Sequence, residues 1–223
     1  DSGLFERNLD DGLQRIDWEN ADTRKQEAIT RGCLRGIGLA NYVERCGHGV
    51  TQNARLKAAP DGAVTIFIST MSNGQGHETA YAQVVSEFLG VSLEKITVVQ
   101  GDTDLIADGG GTGGSWSIPV GGAAIATASK ALIEKGKEIA SHLLEASISD
   151  VDFIDGSFTV VGTDHTLTWD NMSASAHDPK QLPEGLSPGL EGAGEFVPPN
   201  HTFPNGCHLC EVEVDPDTGA IQI

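Results

Sequence analysis

A chain of 223 residues with 39% hydrophobic residues, 21% charged residues and 28 glycines has enough apolar material for a core, and its composition excludes a disordered tail or linker. The net charge of −18 is unevenly placed, because residues 1–57 hold nine basic and nine acidic side chains and the whole excess follows Lys57. Such a surface repels phosphate backbones and anionic headgroups, so neither nucleic acid nor a membrane is an expected partner, and an anionic ligand would need backbone N–H donors.

In chain order, Phe5, Leu9, Leu13 and Ile16 fall on one face of a predicted helix, and a second helix is expected over Asp22 to Arg31. A strand follows over Leu34 to Val43. Val64, Ile66 and Ile68 alternate with Thr65, Phe67 and Ser69 in a second strand, and Ile96 to Gln100 forms a third. Between the second and third lies a helix that starts near His77 and turns Tyr81, Val84, Val85 and Phe88 inward. The longest helix runs from about Gly121 to Glu145, with Ile125, Ala128, Leu132, Ile139 and Leu143 on its buried side. Asp152 to Val161 reads as a hairpin turning at Asp155-Gly156, and the proline-rich stretch from Ser173 to Pro204 as a long irregular connection. A hairpin-like turn, Asp215 to Gly219, comes last. The pattern is α+β, with mixed sheets packed against helices in a single domain over residues 1–223. With Asp1 at its start and Ile223 inside a returning strand, the sequence reads as part of a longer polypeptide.

Four cysteines, Cys33, Cys46, Cys207 and Cys210, are too few for a disulfide scaffold in a chain this long, and no secretory signal or long apolar run is present, which points to a cytoplasmic protein. Cys207-His-Leu-Cys210 has the spacing of a zinc knuckle. The alternation around it reads as a strand, however, where residues 207 and 210 face opposite sides, so structural thiols are the better reading.

Two segments carry candidate chemistry. Met71-Ser-Asn-Gly-Gln-Gly-His-Glu-Thr79 links a strand end to a helix start. Its first-turn N–H groups can bind an anion or a polar heterocycle, with the Gln75 amide beside them, although a plain connecting turn would have the same local pattern. Gly109-Gly-Gly-Thr-Gly-Gly-Ser-Trp-Ser117 has the composition of a flexible spacer, but between a strand and the long helix it reads better as a ligand-cradling loop, and it lacks the Gly-Lys-Ser/Thr of a Walker loop. His77, Glu78, Asp102 and Asp104 could serve as hard-metal ligands or an acid–base pair. Against this, successive helical residues diverge by about 100°, and acids in a first helical turn usually complement the dipole.

Taken together, Arg35-Gly-Ile-Gly-Leu-Ala40, Gly74-Gln-Gly-His-Glu-Thr79 with Tyr81-Ala-Gln83, Gly101-Asp-Thr103, Gly111-Thr-Gly-Gly-Ser115 and Phe203-Pro-Asn-Gly206 resemble the large subunits of aerobic carbon monoxide dehydrogenases and, more widely, the xanthine oxidase and aldehyde oxidase group. The resemblance implies a molybdenum–pterin cofactor, in bacterial members the cytosine dinucleotide form, contacted by Gln75, Gly76, His77, Thr112, Gly114 and Ser115. It implies a parent oxidoreductase that hydroxylates aldehydes, heterocycles or carbon monoxide. The implied partners are the rest of the large subunit, iron–sulfur and flavin subunits and a small-molecule substrate. The family's base-promoting glutamate is expected outside these residues, so no catalytic residue and no metal ligand is assigned, and the chain alone is expected to be inactive and prone to self-association. Two departures stand out. Gly192-Ala-Gly-Glu195 imitates the motif of that glutamate but precedes Phe203-Pro-Asn-Gly206, which makes Glu195 a decoy, and Trp116 stands where the family commonly has arginine. The main alternative is a stand-alone module that binds a nucleotide or another phosphorylated ligand without redox chemistry. A lesser one is a metal-dependent hydrolase centred on His77 and Asp102.

Overall fold

The structure, a computed structural model, describes residues 3–47, 49–107 and 109–223. It comprises two units, Asp1–Cys46 with Thr202–Ile223, and Gly47–His201. In the smaller unit the helices α1 (Phe5–Arg15) and α2 (Ala21–Thr30) accompany a three-stranded antiparallel sheet of β1 (Leu34–Val43), β9 (Asn205–Val214) and β10 (Ile221–Gln222), in the order β1-β9-β10. Gly12 of α1 sits directly over Leu209 and Cys207, which fixes the odd-numbered residues of β9 as the helix-facing row. The apolar stripe of α1 leans on the sheet without any residue becoming fully buried.

Ion pairs complete that face. Glu211 accepts from Arg35 Nε at 2.8 Å and Arg24 Nε at 3.1 Å, and Glu213 accepts from Arg31 at 2.6 Å. The Arg35 hydrogen bond, supported by Arg24, holds the Glu211 carboxyl down at about 2. Beyond β9 the Asp215 carboxylate accepts from the Asp217 N–H at 2.9 Å, and the Gly219 N–H returns to the Asp215 carbonyl at 2.8 Å, so the expected hairpin turn forms.

In the larger unit β2 (Gln52–Ala58), β3 (Val64–Ile68), β4 (Ile96–Gln100) and β8 (Leu190–Phe196) form one sheet in the order β4-β3-β2-β8. β3 and β4 are parallel, joined by the crossover helix α3 (His77–Leu89), and the other pairs are antiparallel. The inner face is built by Leu56, Ile66 and Ile68 against Tyr81, Val85 and Leu89 of α3 and Ile125, Leu132 and Ile139 of α4 (Ala123–Leu143). α4 begins after a π-helical segment, Ser117–Gly122, where the Gly121 N–H reaches the Trp116 carbonyl at 3.2 Å, so the helix expected from Gly121 starts two residues later. A small antiparallel sheet of β5 (Val151–Ile154), β6 (Ser157–Val160) and β7 (Thr166–Thr168), with α5 (Trp169–Ala176), closes the far end of α4, and the predicted turn at Asp155-Gly156 is present with φ of 47° and 74°.

The connection expected to be irregular from Ser173 to Pro204 is not so throughout. Its first residues finish α5, and Leu190–Phe196 is β8, paired with β2 along its whole length. Gly192 and Gly194 are present because a Cβ at either position would lie 2.3 Å from α4 backbone at Ala128, so the strand and helix touch main chain to main chain. Among the described residues no helix is long and apolar enough to cross a membrane.

Candidate functional site

The two glycine segments leave the sheet at the same end. One follows β3 and the other follows β4, so both start at the carboxyl ends of neighbouring parallel strands, where open α/β arrangements bind ligands. They are tied to each other, since the Thr112 hydroxyl donates to the Met71 carbonyl at 2.6 Å. Beside that link lies a cavity of about 240 Å³ lined by Ser69, Met71, Asp102, Thr103, Gly109 and Gly111 among others.

In the first loop Gly74 and Gly76 take φ of 102° and 78°, and a Cβ on either would meet no atom within 4 Å. Backbone is therefore laid open to whatever occupies the space, and Gly76 caps α3 without a side chain, leaving the first-turn N–H groups with no acceptor from the cap. The Gln75 side-chain carbonyl accepts from the Asn73 N–H, so its amide NH₂ is what it can offer a ligand. The His77 ring is buried, with Nδ1 3.1 Å from the Thr70 carbonyl and its plane against Tyr81. With the ring so engaged, the group left open at this position is the backbone N–H.

In the second loop Gly114 and Ser115 have φ of 44° and 51°, and the latter is a conformation disfavoured for serine and kept only by its surroundings. Trp116 folds back over its own loop. Its indole N–H donates to the Gly111 carbonyl at 2.9 Å and its ring lies 3.0 Å from where a Cβ of Gly113 would stand. It thus braces the loop.

Beneath both loops is a polar cluster that the sequence reading missed. Fully buried Tyr81 donates to the Ser117 carbonyl at 3.2 Å, and the Thr70 hydroxyl, 2.6 Å away, donates to Tyr81 in turn. One phenol thereby joins the end of β3, the first turns of α3 and the π-helical exit of the second loop. Burial pushes the Tyr81 phenol up, partly offset by these two hydrogen bonds. Nearby, Ser69 donates to the Gln52 carboxamide at 2.8 Å, and the Gln52 amide nitrogen has no partner among the described residues. A glutamine on the buried row of β2 was the available signal, readable only once that strand is recognised.

The other candidates separate. Asp102 accepts from the Asp104 N–H at 2.9 Å in a local turn, and Glu78 accepts from Gln100. Among the described residues no group of three His, Cys, Asp or Glu side chains could hold a metal ion. Glu195 is exposed on the outer face of the sheet opposite Asn53, and its preceding glycines serve the helix contact. Cys207 faces α1 while Cys210, three residues on, is exposed.

The molybdopterin cofactor-binding domain family matches residues 11–223. The carbon monoxide dehydrogenase large chain of Hydrogenophaga pseudoflava is 34% identical over 100% of this chain and 29% of its own length. The nicotine 6-hydroxylase large subunit of Paenarthrobacter nicotinovorans is 32% identical over 100% of this chain and 29% of its own. Among solved structures, reconstituted CO dehydrogenase from Oligotropha carboxidovorans superposes with a TM-score of 0.84 at 31% identity, covering 100% of this chain and 30% of that one. This chain therefore spans less than a third of the length of these relatives. The family match runs through both glycine loops and leaves the stand-alone nucleotide-binding reading without support. With the family matched over residues 11–223 and the fold shared at a TM-score of 0.84, the chain belongs to the molybdopterin cofactor-binding domain family.

Proposed function

We propose that this chain supplies part of the molybdenum–pterin pocket of a large-subunit oxidoreductase acting on carbon monoxide, aldehydes or heterocycles, with the cofactor in its cytosine dinucleotide form. The observation that carries this reading is the convergence of two glycine loops at the carboxyl ends of β3 and β4, with open backbone at Gly74, Gly76 and Gly111. A polar, partly anionic cofactor fits such a site, because its donors are main-chain N–H groups and the rest of the chain is strongly acidic.

Gln75 offers its amide NH₂, Gly76 and His77 their N–H groups at the start of α3, and Thr112, Gly114 and Ser115 the second wall. When bound, the cofactor supplies the two-electron oxidation and oxygen transfer of the hydroxylation. The chain's own residues bind and orient it, and Trp116 and Tyr81 hold the two loops in place. The proton-accepting glutamate, the substrate pocket and the rest of the large subunit lie outside these residues, with iron–sulfur and flavin subunits as electron-carrying partners. Residues 1–223 act as one functional domain, a reading supported by the family match spanning both units. The free thiols Cys33, Cys46, Cys207 and Cys210 favour a cytoplasmic setting.

The test is metal and pterin analysis of the parent subunit, purified with its natural partners, beside Gln75→Ala and Gly114→Trp. Loss of molybdenum and pterin from folded variants is the expected result. An intact parent holding neither, or variants that retain both in full, would overturn the proposal.

A further inference from the structure

The two faces of the small β1-β9-β10 sheet differ sharply. Arg35, Glu211 and Glu213 all lie on the helix-facing side. On the opposite side Leu34 stands across from Val214, Gly36 from Val212 and Gly38 from Cys210, and no Lys, Arg, Asp or Glu belongs to that face of the three strands. Leu34 is 58% exposed, Tyr42 44% and Ile221 67%. An antiparallel sheet that turns one face to water normally carries polar side chains there.

Gly36 and Gly38 make the case sharper. Neither has a positive φ, and a Cβ at either position would meet no atom within 4 Å. Glycine inside a strand weakens it, so neither the backbone nor the unit's own packing accounts for two of them in alternate positions. Close approach of a second main chain does. A face without acid, lysine or arginine, flat at its centre and flanked by exposed Leu34 and by Tyr42 stacked on exposed His208 at 5.4 Å, is suited to an apolar layer laid directly on it.

We propose that this face is the docking surface for polypeptide of the same large subunit outside residues 1–223. The inference rests on the reading of this chain as a segment of such a subunit. The relatives it matches are more than three times its length, so most of the parent lies beyond these residues and is tethered at high effective concentration. The occupant is an uncharged strand layer of that subunit that brings its own backbone into van der Waals contact with Gly36 and Gly38.

Cys210 provides a reporter, being exposed on this face. In the native full-length parent complex, maleimide labelling read by peptide mass spectrometry should leave Cys210 unmodified and label it only after denaturation. A photo-cross-linking phenylalanine analogue at Tyr42 should join to large-subunit residues outside 1–223. Native labelling of Cys210, or cross-links that fall on another subunit, on a second copy or within residues 1–223, would overturn the proposal. Gly38→Ala gives an independent readout, since it lowers the melting temperature of the parent if a backbone lies against it and leaves it unchanged or raised if the face is bare. Molybdenum is measured on the same samples. A protected Cys210 in a metal-free parent sinks the functional reading and keeps the interface, and a labelled Cys210 in a metal-loaded parent does the reverse.

Discussion

Replacing Tyr81 by phenylalanine removes one oxygen atom from the centre of the site and nothing from the core around it. The side chain is fully buried, and its hydroxyl both accepts from Thr70 and donates to the Ser117 carbonyl. Each such hydrogen bond contributes about 1 kcal/mol net, and a buried hydroxyl stripped of its acceptor costs about 1–3 kcal/mol, so Tyr81→Phe should destabilise the fold by about 2 kcal/mol. For a chain of this size that lowers the melting temperature by about 4–8 °C. The assay is denaturant and thermal unfolding of wild type, Tyr81→Phe, Thr70→Val and the double variant. The double variant should be less destabilised than the sum of the singles by about 1 kcal/mol, because both act on one contact. An unchanged midpoint for Tyr81→Phe, or strict additivity, would refute the account. Alkali offers a second readout. The raised phenol remains neutral in the fold while an unfolded tyrosine ionises near its ordinary value of 10.0, so this contribution is complete below that pH and declines above it. Tyr81→Phe should lack that part of the decline.

Two further predictions concern stability elsewhere. Glu211 is depressed from 4.5 to about 2 by Arg35 and Arg24, so its contribution is present above pH 4.5 and lost as pH falls through about 2. Glu211→Gln should flatten the acid limb of the stability profile in that window, and an unaltered profile in acid titration followed by circular dichroism would contradict it. Gly194→Val drives a side chain into α4 backbone 2.3 Å from its Cβ and should cost about 3 kcal/mol, seen as loss of soluble expression or of cooperative unfolding. Normal unfolding of that variant would mean that β8 does not lie on α4 as described.

The elements legible in the sequence were those whose buried positions are strongly apolar. Val64, Ile66 and Ile68 announce β3, and Ile125, Leu132 and Ile139 announce α4. β2 was not legible, because its buried row is Gln52, Ala54, Leu56 and Ala58, with only one large apolar side chain among four. β8 was hidden because it lies in the proline-rich stretch read as irregular, and its Gly192 and Gly194, read as part of a decoy motif, are there to admit the α4 backbone. The glycine loops of the site were visible as composition, and their convergence follows from β3 and β4 being parallel. The cluster below them was not visible, since Thr70, Tyr81 and Ser117 meet only through the packing of three elements, and Tyr81 read simply as core.

The pairing of β1 with β9 has a consequence for the order of folding. Leu34 must find Val214 across the whole of Gly47–His201, and closing such a loop as flexible chain would cost about 5 kcal/mol in entropy. The intervening unit carries its own remedy, because β2 near its start and β8 near its end are partners, with Gln52 opposite Phe196, and just outside them Cys46 and Thr202 exchange backbone hydrogen bonds of 2.9 and 3.2 Å. Once β2 and β8 have met, the two halves of the small sheet are delivered to one place and the long closure is reduced to a short one. β1 leaves the ribosome well before its partner β9 and waits for it, and an unpaired β1 is a point at which the nascent chain is exposed to mispairing.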